Sequence, residues 1–368
     1  MQIKFVDTSK EGLAFFSTLR QRVDLHFRER QLSKHGNSTM VIKTLVLLTT
    51  YLLTLVALLV LQPPGAAALL LWLLMALAIA GIGMSVMHDA NHGAYSNSKR
   101  LNHWLGLTIN LLGGSVFNWK LQHNVLHHTY TNIMDKDNDI DDKLVFRFSP
   151  HNSSSWYHRF QYIYAFAFYG ITTLYWALVK DFAQFARYTR EGVNTAGHEQ
   201  NVVIFLRILL SKIIYFSIFF ILPCVVLHMP FWPWLGGFLF MHAVAGTLLA
   251  VIFQLAHTVE ETAHPLPDAS GNIENAWAIH QLQTTVNFSP NNKWLSWYIG
   301  GLNFQVEHHL FPAICHVHYP DIAPIVKATA LEFGIPYLEH GTFAGALRSH
   351  IRTLKKFGNL PPLSEVIG

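Results

Sequence analysis

The chain has 368 residues, of which 51% are apolar and only 13% charged, against a charged share of about 25% in ordinary soluble domains. So little charge cannot cover the surface of a soluble fold this large, and a net charge of +4 leaves no footprint for nucleic acid. The 22 histidines exceed what packing calls for, while the two cysteines, Cys224 and Cys315, exclude a disulfide framework and a thiolate metal cluster.

Residues 1–40 lack the short apolar core and small-residue cleavage site of a signal peptide. Leu13, Phe16, Leu19 and Val23 recur at helical spacing among Arg20, Arg22, Arg28 and Arg30. That pattern is shared by a helix lying on a membrane surface and by one packed on protein. Val41 to Gln62 is a nearly uncharged run with Lys43 at its start, and after Pro63-Pro64-Gly65 a second run extends from Ala66 to Met87. Each is long enough to cross a bilayer, which takes about 20 apolar residues. A second pair follows, Val203 to Leu227 and Phe231 to Ala256, broken at His228-Met229-Pro230. Arg207 and Lys212 lie near the start of its first helix, where long side chains can snorkel to the interface. The tips of both pairs lack Lys and Arg, whereas the N-terminal, middle and C-terminal regions are well supplied. Those three regions, both termini included, are therefore expected on the cytoplasmic side.

Trp104 to Phe117 is too short to span and suits a re-entrant or interfacial helix. Phe160 to Val179 is long enough to cross. If the histidine clusters on either side of it share one site, however, an even number of crossings must separate them, and the late pair already supplies two. This segment is expected to lie on the membrane or against protein. Beyond Trp277 the chain is more polar, with helical patterns from Tyr319 to Phe333 and Gly341 to Phe357. The expected fold is all-α and integral to the membrane: four transmembrane helices in two hairpins, interfacial helices, and a cytoplasmic helical cap carrying a metal site. Along the chain this gives an amphipathic segment (1–40), a membrane domain (41–310) and a C-terminal helical segment (311–368).

Three histidine clusters carry the chemistry. His88-Asp89-Ala90-Asn91-His92 follows the second run directly, and residues four apart share a helical face. In His123-Asn124-Val125-Leu126-His127-His128, His123 and His127 share a face, with His128 about 100° around. In Gln305-Val306-Glu307-His308-His309, Gln305, His308 and His309 share a face. A further candidate, His257, ends the last apolar run. A lone pair of this kind usually means packing; seven imidazoles plus His257 are too many for one metal, which takes four to six ligands. Two metals are implied, and imidazole suits iron.

With these residues in place, the sequence resembles the membrane fatty acid desaturase family. The likeness rests on HDANH at 88–92, HNVLHH at 123–128 and QVEHH at 305–309, supported by His280-Gln281, Gly300-Gly301-Leu302-Asn303, Leu310-Phe311-Pro312 and His316-Val317-His318-Tyr319-Pro320. The glutamine opening the third box is similar to the front-end and linoleoyl-CoA desaturase branch. The resemblance implies a histidine-ligated di-iron centre, dioxygen as co-substrate, two external electrons, and an acyl-CoA or acyl-lipid substrate. His88, His92, His123, His127, His128, His308 and His309 inherit the ligand role, and His257 matches the additional ligand histidine. Many front-end enzymes carry a fused cytochrome domain marked by His-Pro-Gly-Gly. The only His-Pro here is His264-Pro265, followed by Leu266, so electrons are expected from a separate ferredoxin or cytochrome with its reductase.

Ligand histidines usually donate their second ring N–H to a carboxylate or carbonyl. Asp89, Asp139, Glu260, Glu261 and Glu307 are candidates for that role, each with a solvated surface carboxylate as the alternative reading, and Gln305 is a candidate to hold a metal-bound water or to pack. Asp135, Asp137, Asp139 and Asp141 alternate like a calcium loop, but Ile140 and Phe146 occupy the Gly and Glu positions that an EF-hand requires. Trp104, Trp119, Trp277, Trp294 and Trp297 suit an acyl tunnel or an interfacial belt equally, and His242, inside an apolar run, suits a structural hydrogen bond. Two rival functions remain: a lipid hydroxylase or ketolase built on similar boxes, and a metal-stabilised membrane receptor or binding protein.

Overall fold

The computed structural model describes residues 3–6, 10–140 and 145–361; Asp141 and the Leu13 side chain lie outside the described set. The described residues are mostly helical. Four helices are long and apolar enough to cross a membrane: Ser38–Leu61, Gly65–His92, His198–Val226 and Phe231–His257. Their sequences leave no doubt about the cause, since uncharged Leu, Val, Ala and Ile runs satisfy every backbone group internally only as helices. Large apolar side chains such as Val41, Leu45, Leu52, Leu53 and Val60 stay exposed on the first of them, a surface suited to lipid and not to water. Strands are few and tiny among the described residues. Lys4–Val6 pairs in parallel with Asn272–Glu274, and Asn287–Phe288 with Glu339–His340.

The chain divides into two compact units that interleave in sequence: Met1–Asn37, Gln122–Ala165 and Ile252–Gly368 form one, and Ser38–Leu121 and Phe166–Val251 the other. In the second, span-bearing unit, the first span buries Leu47, Tyr51, Leu55 and Leu58, with Leu47 seated so close to Gly81 of the second span that a Cβ there would lie 2.7 Å from it. Trp72 of the second span packs edge-on against Trp234 at 5.0 Å and occupies the space where Gly237 would carry a side chain. The third span widens into a π-helix over Ser217–Val226, where Pro223 lacks the N–H a regular turn requires. His242 is held by Tyr215 Oη at 2.9 Å and Thr173 Oγ1 at 3.0 Å, the hydrogen-bonded packing role its isolation suggested.

The apolar stretch around Phe160 to Val179 is not one straight rod. Helices Trp156–Tyr169 and Thr172–Arg190 meet at a 65° bend, and Gly246 of the fourth span lies under the Tyr169 carbonyl, 2.7 Å from where its Cβ would be. Trp104 to Phe117 forms the short helices expected, Lys99–Gly106 and Leu107–Leu112, ending at Gly113 with φ of 77°. Lys212 differs from expectation. It does not snorkel: its ammonium is buried, 2.6 Å from Asp181 Oδ2 and 2.9 Å from the Trp176 carbonyl, and it also donates to the Gly113 carbonyl. Asp181 in turn accepts from Trp176 Nε1 at 3.2 Å, and Asn118 donates to its carbonyl at 2.7 Å. All three ammonium protons are used, which is what allows a lysine to sit inside a span.

In the other unit, the N-terminal helix Lys10–Glu29 buries Phe15, Leu19, Val23 and Phe27 against Ile322, Val326 and their neighbours on helix Tyr319–Glu332. Arg22 adds a 2.6 Å ion pair to Glu332. Of the two readings its pattern allowed, the packed helix is the one observed, because its apolar face is covered by protein.

The buried ion pair yields a stability test. Lys212→Met leaves the Asp181 carboxylate buried and uncompensated, at an expected cost of about 3–5 kcal/mol. Lys212→Met combined with Asp181→Leu should cost clearly less. Thermal unfolding of the purified variants in detergent measures both, and equal losses would contradict the pairing.

Candidate metal centre

The second histidine box lies in a π-helix, Lys120–His127, that runs into His128–Tyr130. In such a turn the hydrogen bonds run from i to i+5, which brings residues five apart within reach as well as those four apart. His123 Nε2 and His128 Nε2 come within 3.3 Å, whereas the His123 and His127 rings stack at 5.4 Å. His123 and His127 share a face, as their spacing suggested, and the wider turn adds His128 edge-on to His123. The third box sits on the short helix Gln305–Leu310, anchored where Asn287 Oδ1 accepts the Val306 N–H at 2.9 Å.

Within this unit six imidazoles from three separated segments gather as two adjacent trios. His127, His257 and His309 have ring centroids 4.7 to 4.9 Å apart, and each offers a nitrogen within 4.8 Å of the others. His123, His128 and His308 lie at 4.6 to 5.7 Å, and His128 stacks on His309 at 4.5 Å to join the groups. His88 and His92 belong to the span-bearing unit, at the end of the second span. There their rings lie 4.7 Å apart and both meet the edge of Trp119, and Asp89 Oδ1 lies 3.6 Å from His88 Nδ1.

Four of the rings are held from behind through Nδ1. His127 Nδ1 meets Asp137 Oδ2 at 3.1 Å, His257 Nδ1 donates to the Thr284 carbonyl at 3.3 Å, His308 Nδ1 meets Tyr319 Oη at 3.2 Å, and His309 Nδ1 meets Gln281 Oε1 at 2.8 Å. Each contact fixes an orientation, and the carboxylate and carbonyl partners of His127, His257 and His309 also favour the Nδ1–H tautomer, leaving Nε2 to point inward. His127 Nε2 and His257 Nε2 are buried and have no hydrogen-bond partner among the described residues. Two bare nitrogens facing one another in a dry pocket are costly without a bound group. Neutral imidazoles in this arrangement suit a divalent transition metal.

The electrostatics agree. Burial pulls the His127 imidazole down, but the Asp137 charge and hydrogen bond, helped by Asp139, outweigh it and hold His127 above its usual value. A more basic imidazole is a better metal donor. Burial works against the Asp137 charge, yet His127 and the Asn132 and Asp139 amides, at 2.9 and 3.0 Å, keep its carboxyl below the usual range. Asp139 Oδ2 lies 3.7 Å from His127 Nδ1, its carboxylate is engaged by Gln122, and with His123 and His127 it could itself hold a metal. Gln305 is buried beside the His257 ring.

Glu307 differs from the orienting role expected. Its oxygens accept from Asn287 Nδ2 at 2.7 Å and Tyr337 Oη at 2.9 Å, not from an imidazole, and burial pushes it up to about 7. Glu260 and Glu261 turn outward instead, toward Arg352 at 3.6 Å and His340 at 3.1 Å. Sequence reasoning did not single out Gln281, Tyr319, Thr284 or Thr131 as holders of the rings. The only signal was that Gln281 and Tyr319 fall inside the short phrases shared with the family. Trp277 also earns a specific role, donating from Nε1 to the His128 carbonyl at 3.0 Å.

Because the rings are held this way, Asp137→Asn and Gln281→Ala should each lower metal affinity about 10- to 100-fold. Glu307→Gln should leave it near wild type. Metal content of the purified variants after titration with a chelator measures the difference, and a Glu307 effect as large as the Asp137 effect would refute the assignment.

Comparison with known proteins agrees with the site. The fatty acid desaturase family pattern matches residues 63–341. The chain is 35% identical over 360 residues to the sn-1 linoleoyl-lipid 6-desaturase of Arthrospira platensis, covering 98% of this chain and 96% of that protein. With the sn-1 linoleoyl-lipid 6-desaturase of Synechocystis sp. it shares 37% identity over 366 residues, 97% and 98% of the two chains. With an acyl-lipid (8-3)-desaturase of Physcomitrium patens it shares 34% over 358 residues, 97% of this chain and 74% of that one. With near-complete coverage of full-length relatives and the three boxes in place, this chain belongs to the fatty acid desaturase family.

Proposed function

We propose that this desaturase acts on the acyl chain of a membrane lipid, inserting a double bond on the carboxyl side of an existing one, with two irons held by His88, His92, His123, His127, His128, His257, His308 and His309. The reading rests on one observation: two adjacent trios of imidazoles, with four of the rings tied through Nδ1 to separate partners. A structural metal needs one set of ligands; two neighbouring sets suit a pair of redox metals. His88 and His92 are assigned from the family pattern and their place at the end of a span. Iron bound there would supply the dioxygen-dependent removal of two hydrogens from adjacent methylenes.

The chain's own residues have narrower tasks. Asp137, Thr284, Tyr319 and Gln281 fix the rings, so that no reorganisation is needed when the site is loaded. The Gln305 amide, beside His257, can hold a polar group at the site. The near-complete burial of His127, His257, His308 and His309 keeps bulk water from a reactive oxidant. Holding one carbon pair of a flexible chain in reach is the remaining requirement, and positioning of that kind decides which bond reacts. The lipid-linked substrate is favoured by the relatives, which are named as acyl-lipid desaturases. The same likeness supports a linoleoyl chain with the new bond at carbon 6. The four spans support an integral membrane protein with the boxes and both termini cytoplasmic and the electron donor on that side.

Expression in a host supplied with linoleate should give a triene carrying a new double bond at carbon 6 in its glycerolipids, read by mass spectrometry of lipid extracts. A hydroxylated acyl chain instead would overturn the proposal. Iron analysis should find about two irons per chain. His127→Ala or His308→Ala should lower bound iron and abolish the triene, and His228→Ala should change neither.

A further inference from the structure

Conversion of –CH2–CH2– to –CH=CH– with reduction of dioxygen to two waters requires four electrons. Two leave the substrate with its hydrogens, and two must arrive from outside, together with two protons. The electrons need an entry point on the protein surface and a route to a ligand, and the C-terminal helix Phe343–Asn359 offers both.

Its inner face, Ala346, Ser349, His350, Thr353, Leu354 and Phe357, is buried. From that face His350 Nδ1 donates to the Thr258 carbonyl at 2.7 Å, and Ser349 Oγ accepts the Glu260 N–H at 2.9 Å. Thr258 is covalently joined to His257. One hydrogen bond and one peptide unit therefore link the helix to an imidazole of the first trio. The outer face carries Arg348, Arg352, Lys355 and Lys356, all exposed, with Arg159 exposed on the 3-10 helix packed against it. Lys355 lies over the Tyr162 ring at 5.6 Å. Two carboxylates face the same region: Glu260, 3.6 Å from the Arg352 guanidinium, and Glu261, bonded to Ser349 and His340. They leave a clear basic excess.

We propose that this outer face docks an acidic one-electron carrier protein, and that its electrons reach the metal centre through His350, the Thr258 carbonyl and His257. The proposal rests on the ligand role given to His257 above. A protein partner is favoured over a lipid surface because the C-terminal helix itself exposes no large hydrophobic side chain, Trp156 and Phe160 being exposed on the neighbouring 3-10 helix instead. A helix that lies in a membrane interface presents apolar residues to it. A cluster of exposed basic groups on one helix face instead matches electrostatic docking of an acidic protein, where charge sets encounter rate and salt dependence.

The test uses the full-length, iron-loaded enzyme in neutral-lipid nanodiscs, with a reduced [2Fe–2S] ferredoxin and a soluble acidic cytochrome as probes. In R348E/R352E/K356E, carrier affinity and the rate of carrier-driven reduction should fall about 10- to 100-fold at low salt. The salt dependence should disappear, while turnover driven by dithionite and a small mediator stays at the wild-type level. Should the charge reversal impair folding, R348Q/K356Q carries the same test with a smaller loss expected. Wild-type affinity and rates in the variants, failure of both carriers to reduce the wild type, or a loss seen only in anionic nanodiscs would each overturn the proposal. Failure of mediator-driven turnover in the wild type would speak against the metal reading instead, because carrier affinity is measured separately.

Discussion

A buried imidazole nitrogen without a partner forfeits its hydrogen bond to water, a loss of order 1–3 kcal/mol. His127 and His257 each accept that cost on Nε2 while their Nδ1 atoms are held firmly from behind. The arrangement becomes favourable only when a shared group binds where those nitrogens converge. A metal bound there would make binding and folding of this unit in part the same free-energy event. The surrounding chain is built around that requirement: the Asn132–Asp137 turn, the Gln281 and Thr284 positions of helix Trp277–Thr284, and Tyr319 at the head of the next helix all converge on ring nitrogens.

The π-helix of the second box serves the same end. An α-helix from His123 would align His127 with it and leave His128 on another face. Widening the turn adds His128 to the reach of His123, while His127 stacks on His123 and also meets His257 and His309. A local irregularity in one helix thereby divides adjacent residues between two trios. Thr131, whose hydroxyl is 2.7 Å from the His127 carbonyl and 2.9 Å from Gln281 Oε1, ties the end of that helix to the partner that holds His309.

How much of this was legible in the sequence follows from the range of the forces involved. The four spans were legible because uncharged length alone dictates them, and their ends fall within a few residues of the run boundaries. That the box histidines gather was legible in part, because imidazoles a few residues apart on one helix lie close together. Lys212 was misread because a lysine near a helix start looks interfacial, and only tertiary structure supplies Asp181 and two carbonyls as its partners. The N-terminal helix was ambiguous because an apolar stripe reports that something covers it, not what. Glu307 adjoins His308 in sequence, yet on a short helix neighbours point apart, and its carboxylate faces Asn287 and Tyr337. Gln281 is distant in sequence from the His309 ring it holds, which spacing rules cannot reach.

Burial and a bare nitrogen do not by themselves identify a ligand. Among the described residues both ring nitrogens of His264 are buried without partners, as is Nδ1 of His280, and burial lowers both side chains to about 4, so each stays neutral. His280 nonetheless faces Phe5 at 5.0 Å and uses Nε2 to hold the Thr131 carbonyl at 2.8 Å; His264 packs edge-on against Phe357 at 5.2 Å. Neither belongs to a group of convergent donor atoms among the described residues. His242 shows the opposite case, with both nitrogens satisfied inside a span. A ligand here is therefore distinguished by the conjunction of three properties: an inward bare nitrogen, a second nitrogen held in place, and other such nitrogens within coordinating reach. Among the described residues His127, His257 and His309 meet the convergence condition together, which makes that trio the part of the centre whose geometry argues most directly for a metal.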